Sequence, residues 1–236
     1  RQTHHSSWRK FARSKIQRTC GEQGRHTPKT TNATTQRART KTIEYTTIVW
    51  YHECMNPYSN NIIYYDTEFT TLDARVGELM SIGLVSQSGA ELYLELEYTG
   101  LVHPWVEKKV IPYLTGKKVS AETARKKLTN FLEKHSQKKG TKKIKPYLLA
   151  YVNQFDSIYW YTLFADAKRH PANWIPIDFA SILFAHGYDP ESMRKEKFFK
   201  EIGVDTTQYH QHNALEDAKR LAETYKKFCA HLQKIT

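Results

Sequence analysis

The sequence predicts an α/β domain built on a mixed sheet, in which an antiparallel three-stranded meander continues into parallel strands with helices on both faces. Three observations point there. Three strand-like runs follow one another between residues 61 and 97, the last two joined by the turn Gln87-Ser88-Gly89. A fourth run, Pro146 to Val152, comes only after two helical stretches have intervened. The last stretch, His210 to Phe228, repeats its apolar residues every three or four positions and reads as a helix.

Taken in order, Asn61 to Phe69 reads N-I-I-Y-Y-D-T-E-F, an apolar run rich in β-branched and aromatic residues that suits a buried strand. Leu79 to Ser86 is the second strand. Ala90 to Glu97 is the third, with Leu92, Leu94 and Leu96 on one face and Glu91, Tyr93, Glu95 and Glu97 on the other, so it should be half exposed. Trp105 to Leu114 and Ser120 to His135 read as helices, the second capped by Ser120 and buried through Ala124, Leu128, Phe131 and Leu132. The lysine-rich Lys138 to Lys145 reads first as a solvated loop and second as a phosphate-contact patch. After the fourth strand come a helix over Ser157 to Ala167, a short strand over Ile175 to Phe179, and helices over Ala180 to His186 and Glu191 to Ile202. The final helix starts at Ala214, where Asn213 and Glu216 have capping-box spacing, and buries Leu215, Ala218, Leu221, Ala222, Tyr225 and Phe228.

Residues 1–54 differ from all this. They are rich in Thr, Arg, Gln and His and bury too little to offset their ordering entropy, so disorder is expected, with a weak basic helix over Ser6 to Ile16. An organellar transit peptide has a similar composition. The first methionine is Met55, and the expectation is that the native protein starts there, with 55–236 as the folded domain. Of the net charge of +12, residues 1–54 hold +8, so the folded part is only mildly basic and charge alone does not identify a nucleic-acid partner. Cys20, Cys54 and Cys229 are sparse and odd in number, which argues against a disulfide framework or thiolate zinc site and suits a reducing, cytoplasmic setting. No apolar run is long enough for a membrane span.

The chemistry is concentrated in carboxylates. Asp66 and Glu68 lie two residues apart on a strand, so both leave the same face at its end. Two such charges repel each other and raise each other's pKa unless a cation lies between them, and all-oxygen ligands suit Mg²⁺ or Mn²⁺. Asp156 follows the fourth strand, at the end where open α/β sheets place ligands. Asp217 sits at the edge of the last helix's buried stripe, where a carboxylate is costly without a positive partner. His212 precedes that helix, within reach of the same place. Asp178 reads as a helix cap before it reads as part of the site, and His210 as loop surface.

This ordered set resembles the DEDDh 3′-to-5′ exonucleases of ribonuclease-H-like fold: Asp66-Thr67-Glu68, then Asp156, then His212-N-A-L-E-Asp217. The likeness covers about residues 60–232. A tyrosine-type relative would carry Tyr at 213, where this chain has Asn213. Y-D-T-E-F, E-L-M-S-I-G-L-V and W-V-E-K-K-V-I-P-Y-L look like the compact mycobacterial-type exoribonucleases. Proofreading and RNase T-type members usually read D-x-E-T-T-G and H-N-x-x-F-D, where this chain reads D-T-E-F-T-T and Tyr151-Val152-Asn153-Gln154-Phe155-Asp156.

The resemblance implies an enzyme that releases nucleoside 5′-monophosphates from RNA 3′ ends, and a homodimer. Asp66, Glu68, Asp156 and Asp217 would hold two Mg²⁺ or Mn²⁺ ions about 3.5 to 4 Å apart. His212 would be the general base. Thr67 would offer backbone to the terminal nucleotide, with Phe69 and Leu72 against its base, although plain core packing explains Phe69 equally well. Two other readings stay open: a DNA 3′-to-5′ exonuclease for proofreading or end trimming, and an inactive nucleotide-binding module.

Overall fold

The computed structural model describes residues 57–165 and 170–235. The expectations for residues 1–54, including the helix over Ser6 to Ile16 and the boundary at Met55, lie outside the described residues, whereas the helix expected to reach Ala167 stops at Phe164, where Ala165 turns left-handed with φ of 50°.

The mixed sheet forms as expected. β1 (Ile62–Phe69), β2 (Leu79–Ser86) and β3 (Glu91–Leu96) make the antiparallel meander. α1 (Pro104–Lys109) and a 3₁₀ turn (Ile111–Tyr113) lead to a two-residue strand, β4 (Lys118–Val119), parallel to β3. After α2 (Ala121–Lys134), a small separate ribbon of β5 (Gln137–Lys139) and β6 (Lys142–Ile144) precedes β7 (Tyr147–Ala150), which pairs parallel to β1. α3 (Gln154–Phe164) and β8 (Ile177–Asp178) follow, then α4 (Phe179–Ala185), α5 (Glu196–Ile202) and α6 (Ala214–Ile235). The main sheet has six strands in the order β4-β3-β2-β1-β7-β8.

Period-two alternation along β1 separates two cores. Ile62 and Tyr64, with Val85 and Leu149, face α4, α5 and α6 through Leu183, Phe199, Leu221 and Phe228. Ile63 and Tyr65, with Ile82, Leu84 and Leu148, face α2 and α3 through Leu128, Leu132 and Trp160. Among the described residues, no helix is long and apolar enough to cross a membrane.

Four local expectations need correction. Lys138 to Lys145 is a paired ribbon rather than a loop. Glu191 to Ile202 is a 3₁₀ turn (Pro190–Arg194) and then a separate helix, because Lys195 breaks out into an extended conformation. Glu95, expected on a half-exposed face, is 2% exposed. The backbone N–H groups of Thr115 and Gly116 donate to its carboxylate at 2.5 and 2.8 Å, and the Tyr93 hydroxyl donates at 3.0 Å, so the turn before β4 covers it. Finally, α3 begins at Gln154, so Asp156 belongs to a helix's first turn rather than to the preceding loop.

Candidate metal centre

The site lies where β1 outruns β7. β7 pairs only with Ile62 to Tyr64, so the next residues of β1 keep their pairing to β2 but have no strand on the other side. A backbone N–H left on such an edge needs a partner. Asp156 supplies it: the Thr67 N–H and hydroxyl donate to Asp156 Oδ1 at 2.9 and 2.7 Å. The edge that exposes Asp66 and Glu68 therefore also fixes the third carboxylate. A register shift between Glu68 and Phe69 marks a bulge at this place, a device that re-aims side chains at a strand's end.

The start of α3 is tied down by Asn153. Its Oδ1 accepts from the Tyr65 hydroxyl at 2.5 Å and the Ser157 hydroxyl at 2.8 Å, and its Nδ2 donates to the Ile177 carbonyl at 2.8 Å. Just before it, Val152 adopts φ of 58°, a left-handed conformation costly for a β-branched residue and easy for Asn. Asp178 accepts from the N–H groups of Ala180 and Ser181 at 3.3 and 2.9 Å, which is a helix cap, and also from the Asn153 N–H at 3.2 Å.

Asp217 arrives from α6, and Gly83 lets it come close. Gly83 is the register partner of Asp66 on β2. A β-carbon there would sit 2.3 Å from the Ala214 carbonyl oxygen and 2.4 Å from Leu215 Cα. Only a glycine allows the first turn of α6 to lie on the sheet beside the carboxylates. Asn213 Oδ1 caps that turn, accepting from the Leu215 and Glu216 N–H groups at 3.1 and 3.2 Å, while Glu216 itself pairs with Lys219 at 3.1 Å. Arg220, one turn on, meets Asp217 Oδ1 at 2.6 Å. The positive partner that a semi-buried Asp217 needs is therefore on its own helix.

His212 closes the arrangement. Its backbone N–H donates to Asp217 Oδ2 at 2.8 Å, with φ of 64°. Its ring lies edge-on to Trp105, with centroids 4.9 Å apart. Ligand atoms of Glu68, His212 and Asp217 all lie within 4.8 Å of one another.

The electrostatics match the geometry. Burial, then the charges of Asp156, Asp217 and Glu68, hold the Asp66 carboxyl well above the usual carboxylate range. Burial and the charges of Asp217 and Asp156 push Glu68 up to about 8. Burial raises Asp156 to about 7 against the opposing hydrogen bonds from Thr67. Asp217 is raised by burial and held back by Arg220. Burial lowers the His212 pKa against the pull of Asp217, so its imidazole is neutral near pH 7. Four mutually repelling carboxylates with oxygen donors and a neutral imidazole fit Mg²⁺ or Mn²⁺, whose charge offsets the repulsion.

The residues expected to touch substrate are placed as follows. The Thr67 N–H and hydroxyl are both engaged by Asp156. Phe69 stacks on Tyr159 at 4.5 Å, the packing arrangement. Leu72 is 65% exposed in the loop after β1. His210 is exposed, with its ring 6.3 Å from that of Tyr113. Gly83, Asn153, Arg220 and Trp105 were not singled out from the sequence. Arg220 alone had a readable signal, three residues beyond Asp217 on one helix face.

No protein-family model and no curated sequence matches this chain. Solved structures do. The nuclease domain of 3′hExo, a DEDDh family member bound to rAMP, is 15% identical over 73% of this chain and 92% of its own, with a TM-score of 0.52. A 3′-exonuclease that recognises the histone mRNA stem-loop is also 15% identical, over 73% of this chain and 81% of its own, at 0.51. E. coli exonuclease I in complex with a dT13 oligonucleotide is 12% identical over 74% of this chain but only 42% of its own, at 0.54. The fold is that of DEDDh-family 3′ exonuclease domains, a ribonuclease-H-like mixed sheet with helices on both faces.

Proposed function

We propose that this protein is a divalent-metal-dependent 3′-to-5′ exoribonuclease. The observation that carries the reading is the meeting of Asp66, Glu68, Asp156 and Asp217, from three separate elements, beside a neutral His212. A dead site has no reason to keep that repulsion.

In this reading Asp66, Glu68, Asp156 and Asp217 would hold two Mg²⁺ or Mn²⁺ ions, which would supply positive charge for the scissile phosphate and a more acidic water. An imidazole nitrogen of His212 takes the proton from the attacking water as its oxygen bonds to phosphorus. The bond from phosphorus to the 3′ oxygen of the preceding nucleotide breaks. A nucleoside 5′-monophosphate leaves, and the chain ends in a new 3′-hydroxyl. Thr67 positions Asp156, and Arg220 favours the ionised form of Asp217 against its burial and orients it. Leu72, exposed in the loop after β1, and Trp105, packed against the His212 ring, are the proposed contacts for a terminal base, and base stacking contributes about 1 to 3 kcal/mol per base.

A second reading, DNA trimming, is favoured by one observation: exonuclease I with a bound DNA oligonucleotide shares the fold. The test is a 5′-labelled RNA and its DNA counterpart, incubated with the full chain and Mn²⁺ or Mg²⁺, with EDTA as control. A metal-dependent ladder on RNA alone is expected. Equal trimming of both favours the DNA-end reading, and no trimming of either contradicts the nuclease reading.

A further inference from the structure

The β5–β6 ribbon is unlike the rest of the molecule. Its register sets Lys138 opposite Lys143 and Lys139 opposite Lys142 across a turn at Gly140 and Thr141. Like charges directly opposite on paired strands destabilise the pairing. A two-stranded ribbon is marginal in water to begin with. Lys138, Lys142 and Lys143 are exposed, as is Lys134 at the end of α2. Among the described side chains, the ribbon meets one carboxylate, Glu133, which pairs with Lys143 at 3.3 Å and is itself exposed. Lys145 is spent on the His170 carbonyl. The ribbon is nevertheless anchored, since Asn61 Nδ2 donates to the Ile144 carbonyl at 2.9 Å at the start of β1.

The anchoring residue gives the ribbon's place relative to the carboxylates. Asn61 is five residues before Asp66 on an extended chain, which puts the ribbon's root about 16 Å from the site at about 3.3 Å per residue. The ribbon projects from the opposite end of β1 and β7. A small ligand at the carboxylates does not reach it, whereas a polyanion of several nucleotides is long enough to span that distance.

We infer that the exposed lysines of the β5–β6 ribbon, Lys138 and Lys143 on one face and Lys142 on the other, form a phosphate-binding exosite for the upstream part of a single-stranded RNA. This rests on the nuclease reading for the choice of RNA as the polyanion. Bound phosphates relieve the cross-strand repulsion that the register builds in, and the affinity is electrostatic and independent of sequence. The ribbon therefore confers length dependence on a site that by itself takes only the terminal nucleotide.

The test compares the full-length wild type with a Lys138→Ala, Lys142→Ala, Lys143→Ala variant. Binding to polyuridylate is measured in EDTA over a range of salt concentration. Hydrolysis of the p-nitrophenyl ester of thymidine 5′-monophosphate is measured separately with Mn²⁺. The variant is expected to bind polyuridylate more weakly, with a plot of log affinity against log salt shallower by about 2, since each single-strand phosphate contact contributes about 0.7. Its rate on the small ester should equal that of the wild type. Lys138→Glu separates charge from folding, because it gives the ribbon a favourable cross-strand pair with Lys143 and still removes a phosphate contact; it should bind worse than wild type. Wild-type affinity and salt slope in the triple variant, or wild-type affinity in Lys138→Glu, would overturn the inference. A wild type that binds polyuridylate in this way but leaves the ester intact supports the exosite and contradicts only the nuclease reading.

Discussion

The two halves of β1 are held by opposite means. Ile62 to Tyr65 is buried on both faces, and Ile63 and Tyr64 are paired on both edges, to β2 and β7. Asp66 to Phe69 is paired on one edge only, and the other edge is filled by a carboxylate from α3. The first half is stabilised by area removed from water, distributed over many contacts. The second half concentrates like charge that, among the described residues, Arg220 offsets. The proposed chemistry sits at the end of the strand that is worst for stability, and the apolar end is what makes that tolerable.

Substitutions can break this contrast from either side. Asp66→Asn should abolish metal-dependent hydrolysis, yet leave the metal-free protein no less stable, since it removes a charge repelled by three neighbours. Turnover with labelled RNA and thermal unfolding in EDTA check both halves of the statement. His212→Ala should slow hydrolysis by about 10² to 10⁴-fold, the usual range for a positioned proton acceptor, and flatten the acid side of the pH–rate profile. At the other end, Leu149→Ala should cost about 2 to 5 kcal/mol in denaturant unfolding, as cavities in cores do, with unchanged turnover per folded molecule. The smallest effect sharpens the boundary between the halves: Val152→Asn should stabilise by about 1 kcal/mol by relieving a left-handed β-branched residue, with the hydrolysis rate preserved.

How much of this was legible depended on how local each cause is. Asp66 and Glu68 were readable as a pair because strand periodicity puts both on one face, and β1 and β2 fall within one residue of where the sequence placed them. Asp217 was readable because helical periodicity put it beside a buried stripe that does form, through Ala218, Leu221, Tyr225 and Phe228. Asp156 carried no such periodic pattern; its position just after the fourth strand and its place in an ordered set singled it out. What escaped the sequence was set by long-range contact. Gly83 matters because Ala214 crosses it, 131 positions later, and Glu95 is buried because a turn some 20 residues on folds over it. The β5–β6 ribbon escaped for another reason: its lysines favour solvent, and its pairing places like charges opposite each other.

The central claim is that the charge cluster at the end of β1 is built for divalent ions, and thermal unfolding tests it most directly. The full-length wild type and Asp66→Asn would be melted at about pH 5 and about pH 8, in EDTA and in Mn²⁺. In the metal-free fold Glu68 is raised from 4.5 to about 8 and Asp156 from 3.8 to about 7, so both bind protons more tightly folded than unfolded. Their contribution is fully present below the unfolded values and is lost as pH rises through 7 and 8. Mn²⁺ should therefore raise the wild-type Tm much more at the higher pH than at the lower, by an amount equivalent to about 2.7 kcal/mol at a hundredfold excess over Kd. Asp66→Asn should lose most of that gain. A wild type indifferent to Mn²⁺ at the higher pH, or an Asp66→Asn variant stabilised as strongly as wild type, would contradict the account.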